Sequence, residues 1–220
     1  MTYDELAANI RAYCENDFPD TEGSGGLSST EQIDTFIREA ETRIYNTVQL
    51  LDLRKNVTGN ATANNKYLSV PSDWLANFSL AVIDPVTGEY SFLLNKDVNY
   101  IREAYPNPSD TGKPQHYAFF DQSSYILGPT PDDDYEMELH YFYYPPSIVD
   151  AGTSWLGDNF DTVLLYGSLL EAAAFMKSDA DTYNQYQTRY NEALAQLKEL
   201  GEGKNRQDMY RTQAVRYPVR

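Results

Sequence analysis

The chain has few of the side chains that most often support catalysis, metal binding or disulfide formation. Its 220 residues include one cysteine and two histidines. The single cysteine, Cys14, excludes an intrachain disulfide and gives no sign of an oxidising compartment. No run approaches the roughly 18 apolar residues of a membrane-spanning helix. The N-terminal residues lack the basic and apolar regions of a signal peptide, so we expect synthesis in the cytoplasm.

These rare side chains also lack the spacing that chemistry requires. His116 and His140 fall on separate predicted strands, with no cysteine or carboxylate at metal-ligand spacing from either. Two acidic residues closely follow Cys14, and their negative charge raises a thiol pKa, so this thiol is a poor nucleophile. The acidic run 132–134 lacks the spaced ligands and the glycine of a calcium loop, which favours a solvated turn. We therefore predict no catalytic residues, no metal site and no cofactor.

Basic residues are scarce as well. The 17 Lys and Arg residues against 33 Asp and Glu residues give a formal net charge of −16. Such a surface repels a polyanion, which excludes a general phosphate-binding role but suits a protein that stays near nucleic acid without retaining it. Ordinary solubility would explain the same acidity. Tyrosine is abundant, with 19 residues, and suits surfaces that are buried only on assembly, although packing within the chain would explain most of them.

The last twenty residues carry the opposite charge. Residues 201–220 hold five basic and two acidic side chains, which is 5 − 2 = +3, whereas residues 1–200 hold 12 and 31, which is −19. Glycines at the start of this segment and Pro218 near its end disfavour a helix, so we predict that the last helix ends at Gly201 and that an extended arm follows. We predict that the arm docks on another protein; a solvated chain end is the alternative. The predicted docking residues are Arg206, Tyr210, Arg211, Arg216, Tyr217, Pro218 and Arg220.

Both ends of the chain before this arm show helical periodicity. We predict helices over residues 2–16, 28–51, 158–177 and 178–200. The second opens with two overlapping capping boxes, Ser28 with Glu31 and Ser29 with Gln32, and the fourth with a box of Ser178 and Asp181. The polar face predicted for the second helix consists of Asp34, Arg38, Glu41 and Asn46. The third helix is apolar on most sides, which predicts burial, and Gly167 would allow another helix to approach it closely.

The middle of the chain alternates with a period of two. Strands are predicted over 66–70, 78–83, 90–94, 115–120, 124–127 and 136–144, separated by clusters of Pro, Gly and Asp. A short helix over 97–105 would place Val98 and Ile101 inward. The fold class is therefore α+β, a helical bundle with an inserted small antiparallel β-module (barrel or sandwich) and an extended C-terminal arm. The predicted parts are N-terminal helices (1–60), β-module (61–150), C-terminal helix pair (151–200) and arm (201–220).

Four stretches carry motifs whose combined order and spacing indicate a protein family. They are 66–74 (KYLSVPSDW), 112–118 (GKPQHYA), 124–131 (SYILGPTP) with 139–146 (LHYFYYPP), and 155–156 (WL) with 161–173 (DTVLLYGSLLEAA). Over about residues 28–200, this set resembles the head-to-tail adaptor (connector or neck) proteins of tailed bacteriophages, particularly the short-tailed type.

The resemblance implies a structural virion protein without catalytic residues, made in the host cytoplasm and located at the head–tail junction. Family members assemble as rings, commonly of twelve copies, beneath the portal. The implied partners are the portal, which the C-terminal arm would contact, a tail nozzle, hub or tube protein, and further copies of the chain. Genomic DNA would pass through the ring without specific binding. Because every copy carries a high negative charge, we expect a stable ring only on the portal.

Two other functions stay open at this point. A tail-tube terminator or gatekeeper protein also forms a ring from β and helical parts. A carbohydrate-binding or carbohydrate-cleaving module, which belongs to a different class, is suggested by the tyrosine-rich strands. It would require aromatic faces exposed on a groove in the single chain.

Overall fold

The computed structural model describes residues 1–21, 25–48, 50, 53–85, 87–107 and 109–211, with side chains up to Gly201. In chain order the elements are α1 (Tyr3–Cys14), α2 (Ser29–Thr47), β1 (Arg54–Ala61), β2 (Tyr67–Ser69), β3 (Ala76–Ile83), β4 (Tyr90–Phe92), β5 (Leu94–Asn95), α3 (Val98–Ala104), β6 (His116–Asp121), β7 (Ser124–Gly128), β8 (Tyr135–Phe142), α4 (Ile148–Ala151), α5 (Trp155–Asn159), α6 (Asp161–Met176) and α7 (Ala180–Arg211). The mixed α+β class predicted from the sequence is confirmed.

The chain divides into two compact units. The helical unit consists of Met1–Asp52 and Pro145–Arg220, and the β unit consists of Leu53–Tyr144. The β unit is therefore an insertion between two helical segments of the chain. Each unit has a hydrophobic interior of its own, as expected of segments that bury their apolar faces separately.

Helix α6 lies at the centre of the helical unit, where it packs against α1, α2 and α7. Its buried apolar side chains include Val163, Leu164, Leu165, Leu169, Leu170, Ala172 and Ala173. The predicted close approach at Gly167 is confirmed. A Cβ atom there would lie 3.2 Å from the Cβ of Ala40 on α2 and 3.3 Å from the ring of Tyr190 on α7. The helix is apolar on most sides because it has packed neighbours on most sides.

Helix caps agree with the sequence at one predicted position and differ at another. Ser28 caps α2 and forms the predicted capping box with Glu31. At the start of α7, the side chain of Asp179 accepts a 2.9 Å hydrogen bond from the backbone N–H of Thr182. The cap is therefore one residue later than the box predicted at Ser178, because a carboxylate accepts the amide hydrogen bond there.

The overlapping box predicted for Ser29 and Gln32 is replaced by bonds to the preceding loop. The Gln32 side chain is almost fully buried and donates to the carbonyl oxygens of Pro19, at 3.0 Å, and Leu27, at 3.2 Å. The Ser29 hydroxyl donates to the carbonyl oxygen of Asp17 at 2.7 Å. Both side chains thus bond to loop carbonyls and hold the preceding loop to the start of α2.

The polar face predicted for α2 is wrong at Glu41. This residue is only 3% exposed, because the short helix α4 packs against that side of α2. Arg38, one turn earlier, is exposed as predicted and forms a bidentate ion pair with Asp150, with N–O distances of 2.7 and 2.8 Å. The sequence periodicity predicts that this face of α2 is exposed to solvent. In the structure, residues 148–151 pack against part of it.

Helix α7 continues to Arg211, which corrects the predicted helix end at Gly201 and the predicted extended conformation of residues 201–211. A glycine inside a helix costs only about 1 kcal/mol relative to alanine. Glu, Lys, Arg, Gln and Met, all good helix formers, follow or flank the two glycines, and no proline lies between Gly201 and Pro218. Two glycines are therefore not enough to stop the helix. Residues 212–220 lie outside the described part of the chain.

The β unit is a sandwich of two four-stranded sheets. Their strand orders are β1-β8-β3-β4 and β2-β7-β6-β5, and β5 with β6 is the parallel pair among them. Leu80, Met137 and Leu139 of the first sheet form a common core with Tyr125 and Leu127 of the second. Two sheets that face each other across such a core form a sandwich rather than a barrel.

Strand β8 confirms the predicted alternation, and strand β1 was not predicted. On β8, Met137, Leu139 and Tyr141 are buried, as the period of two requires. Strand β1 has the sequence RKNVTGNA and lies at the edge of its sheet, largely exposed. Its asparagines and glycine have low β propensity, so the local sequence gives no strand signal. Pairing with β8 along eight residues fixes its conformation instead.

Helix α3 covers the outer face of the second sheet, as its predicted pattern requires. Ile101 packs with Ala118 and Ile126, and Val98 packs against the same group. The inward positions predicted for Val98 and Ile101 are confirmed.

Candidate functional site

The structure describes only part of the predicted docking arm. Arg206, Tyr210 and Arg211 belong to the last turns of α7, where the backbone is described and the side chains are not. The other four predicted residues, Arg216, Tyr217, Pro218 and Arg220, lie outside the described residues. The role of the seven residues stays a prediction.

Residues of the first motif stabilise the β unit. Asp73 accepts a 2.7 Å hydrogen bond from Lys55 and a 2.8 Å bond from the hydroxyl of Tyr141. The ammonium group of Lys55 lowers the pKa of the Asp73 carboxyl. Next to it, the Trp74 indole stacks on Phe119, with ring centroids 4.3 Å apart. Because Lys55 and Tyr141 belong to the first sheet and Phe119 to the second, these residues link the two sheets.

The second and third motifs meet at the end of the second sheet. The Tyr105 hydroxyl and Nδ1 of His116 are 2.9 Å apart, so this histidine has a structural partner. A Cβ atom at Gly128 would lie 2.6 Å from the ring of Tyr105, so a larger residue would displace that ring. These motif residues support the sandwich by packing.

The remaining candidates for chemistry are partly buried or have structural partners. Burial raises the pKa of the Cys14 thiol to about 11, so burial rather than its acidic neighbours keeps it protonated. In the acidic run, Asp132 accepts from the hydroxyl of Tyr135 at 2.7 Å and Asp134 from the backbone N–H of Ala63 at 2.8 Å. Among the described residues, no group of three or more His, Cys, Asp or Glu side chains is placed to hold a metal ion.

Helices α1, α6 and α7 of the helical unit enclose a large open groove. Its volume is about 910 Å³, and its lining includes Tyr13, Tyr166 and Tyr186 as well as Arg189 and Glu192. The Tyr166 ring packs near both other tyrosines, with centroid distances of 6.4 and 6.2 Å. The Tyr186 hydroxyl donates to the carbonyl oxygen of Tyr13 at 3.2 Å. These contacts hold the α7 side of the groove to α1.

The β unit exposes a row of large apolar side chains. Tyr90, Phe92 and Leu94 are 51%, 67% and 58% exposed, whereas Leu93 between them is buried in the core. The Tyr90 and Phe92 rings are nearly parallel, with centroids 6.5 Å apart. The three residues, called the apolar row below, follow the chain from edge strand β4 of the first sheet to edge strand β5 of the second. Contiguous exposed apolar side chains of this kind mark interaction surfaces.

The opposite edge of the sandwich has an apolar cleft. It lies between edge strands β1 and β2, has a volume of about 270 Å³, and is called the Gly59 cleft below. Its lining includes Val57, Gly59, Leu68, Val70, Leu80 and Met137, and none of its lining residues is charged. Through it, core side chains of the sandwich reach the surface.

Sequence reasoning missed both features, although part of the signal was present. Apolar residues at 90, 92 and 94 alternate with Ser91 and Leu93, which gives no polar face to the predicted strand. A strand without a polar face is either buried on both sides within its own chain or becomes buried when a partner binds. The glycine within β1 is a second signal, since glycine in a strand often marks close approach by another group. It could not be used because β1 itself was not predicted.

No helix in the described part of the chain is both long and apolar enough to cross a membrane.

Comparison with known families gives a match over nearly the whole chain. A family model described as "SU10 adaptor protein" matches residues 1–217, which includes every described residue of both units. No curated protein matches the chain.

Proposed function

The chain belongs to the SU10 adaptor protein family, and on this premise we propose that it forms a ring beneath the portal, joins the capsid to the tail and lines the DNA conduit. The resemblance carried by its four motifs is confirmed, so the chain is a phage adaptor and a structural component of the virion. Family membership implies a structural role rather than an enzymatic one. Of the functions left open by the sequence, it supports the adaptor over the terminator and the carbohydrate module.

The match over residues 1–217 carries this proposal, and the surface chemistry supports it. A net charge of −16 suits a DNA conduit, because a wall that neutralised phosphates would hold the genome and slow its passage. The uncovered apolar row supplies a surface that assembly would bury. The motif residues with known contacts stabilise the β unit or the helical unit by packing, which is the expected pattern for a protein whose task is to hold its shape.

The C-terminal arm is proposed to dock on the portal. Residues 201–220 carry a net charge of +3 on a chain that is otherwise acidic. Arg206, Arg211, Arg216 and Arg220 would pair with portal carboxylates, and Arg is well suited to such bidentate bonds. Tyr210, Tyr217 and Pro218 would supply apolar anchors. Because α7 continues to Arg211, the proposed arm is a helix through Arg211 followed by nine further residues.

Particles assembled with and without the protein test the proposed function. Cryo-electron microscopy of complete particles should show a ring between portal and tail whose density fits this chain. Capsids assembled without it should lack both the ring and the tail. Light scattering of the purified protein should give a monomer or weak oligomer, and adding purified portal should give the ring. Density for the chain at another position in the particle, or tails that attach without it, would contradict the proposal.

A further inference from the structure

We propose that neighbouring copies in the ring join through their β units, with the apolar row of one copy inserted into the Gly59 cleft of the next. This inference rests on the proposed function, because it needs a ring of copies. It adds the two surfaces that meet and the direction in which the copies follow one another.

The apolar row has the properties of an inserted surface. Phe92, at its centre, is 67% exposed, and its flanking neighbours Tyr90 and Leu94 are also more than half exposed. Burying an apolar side chain of this size removes a large hydrophobic surface from water and stabilises the contact. The row belongs to edge strands, whose outer backbone groups are also free to pair with another chain. An uncovered edge of this kind promotes aggregation. We therefore expect a specific partner to cover it.

The Gly59 cleft exists because a side chain is missing from the sandwich. Val57, Gly59 and Ala61 alternate on the inward face of β1, and Gly59 lies opposite Met137 on β8. A Cβ atom at Gly59 would have no heavy atom within 4 Å, so the core is open there. An apolar cavity of about 150 Å³ holds a benzene ring. The 270 Å³ of this cleft can therefore accept an aromatic side chain.

The positions of row and cleft favour a second copy as the occupant. The row lies on β4 and β5, and the cleft lies between β1 and β2; these pairs are the opposite edges of the two sheets. A contact between different surfaces of identical chains is head-to-tail, and it closes into a ring when the rotation between copies permits. A row and a cleft at opposite edges of one sandwich allow such a head-to-tail contact.

Charge supports the same partner. Every copy carries a net charge of −16, so most faces of two copies repel each other. The three residues of the row are uncharged, although the Tyr90 hydroxyl bonds to the Glu138 carboxylate, and all the residues that line the cleft are uncharged. Contact there brings two acidic proteins together over uncharged side chains.

Two single substitutions test the contact from its two sides. Gly59→Leu fills the cleft from within, and open space around this position together with its ordinary strand conformation allows the folded unit to accept it. Phe92→Asp places a charge at a side chain that is 67% exposed. Each variant should keep the melting temperature of the wild type or exceed it, and each should fail to form rings on purified portal. Asn60→Leu on the same strand and Tyr100→Asp at a 42% exposed ring on α3 are matched controls that should form rings.

Disulfide trapping keeps the inference falsifiable if either substitution disturbs folding. In a Cys14→Ser background, Phe92→Cys combined with Ser69→Cys at the cleft should give a ladder of covalent oligomers on oxidation of portal-bound protein. Replacing Phe92→Cys by Tyr100→Cys should give no ladder. Rings visible by electron microscopy without a ladder, or full ring formation by Gly59→Leu and Phe92→Asp, would overturn the proposed contact and leave the ring intact. Wild-type protein that forms no ring on portal would instead overturn the proposed function.

Discussion

The side-chain carboxylate of Glu41 on α2 accepts a 2.9 Å hydrogen bond from the backbone N–H of Ile148, the first residue of α4. The bond joins residues 107 positions apart and ties the N-terminal helices to the chain that returns from the β unit. Burial raises the pKa of the Glu41 carboxyl, and the bond from Ile148 opposes that rise. A buried amide without its acceptor would cost about 1–3 kcal/mol, which explains why an acidic residue is retained here.

We expect Glu41→Gln to change how stability depends on pH. A pKa above the unfolded value means that the folded protein binds the proton more readily. The stabilising effect of this group is therefore complete below the unfolded pKa and is lost as the pH rises through the folded pKa. The wild type should lose stability relative to Glu41→Gln as the pH rises from 4.5 upward. Urea denaturation of both proteins at several pH values measures the difference; a constant difference, or one of opposite slope, would count against the assignment.

The elements that were predictable are those whose own side chains determine their environment. Helix α6 is apolar on most sides and is buried on most sides. Strand β8 alternates along its length, and its apolar residues form the sandwich core. The box at Ser28 and Glu31 is a local signal, because both partners lie within one turn. In each case the information lies within a short window of sequence.

The features that were not predictable depend on residues far along the chain. The helical periodicity of α2 assigns Glu41 to the solvent-facing side. Only the contact with Ile148, far along the chain, shows that Glu41 is buried. Strand β1 is held by β8, about 80 residues later, and its own sequence has no strand pattern. The Gly59 cleft requires both β1 and the neighbouring sheet to be in place. For the candidate site, the sequence therefore indicated the basic arm and missed the row and the cleft.

Gly167 should tolerate little added volume. We expect Gly167→Leu to lower the free energy of unfolding by about 1–3 kcal/mol or more, because overpacking forces the neighbouring side chains to move. The contacts at risk are those with Ala40 and Tyr190, which an added Cβ would already approach to 3.2 and 3.3 Å. Ala174→Leu adds comparable bulk at an exposed position of the same helix and is the control. Equal melting temperatures for the two variants would contradict the proposed close packing.

Asp73 should show a pH dependence opposite to that of Glu41. Lys55 lowers the pKa of its carboxyl, so the stabilising effect is present above the unfolded pKa and is lost as the pH falls. Its side chain is 36% exposed, so we expect Asp73→Asn to cost less than about 1 kcal/mol at pH 7. The cost should shrink toward pH 3 and at high salt. Denaturation of both proteins with and without 1 M salt checks this, and a cost that grows on acidification would refute it.

The arm prediction can be tested by truncating the chain after Arg211, the last residue of α7. A chain that ends at Arg211 removes Arg216, Tyr217, Pro218 and Arg220 but keeps α7, whose last described buried side chain of the core is Leu197. Its melting temperature should equal that of the full chain, because the removed residues follow the packed part of the helix. Its attachment to portal-bearing capsids should be lost.

Charge reversal on the helical part of the arm separates specific pairing from overall charge. Arg206→Glu with Arg211→Glu should weaken attachment to the portal, because each introduced carboxylate replaces a bond to a portal carboxylate with repulsion. Arg189→Glu changes a charge on the same helix at an exposed site paired with Glu192, and it should attach normally. Co-sedimentation with portal-bearing capsids at low and physiological salt measures all the variants. If the chain ending at Arg211 and the double variant both mount on capsids as well as the wild type, the arm does not dock on the portal, and contacts of the packed units must hold the adaptor there instead.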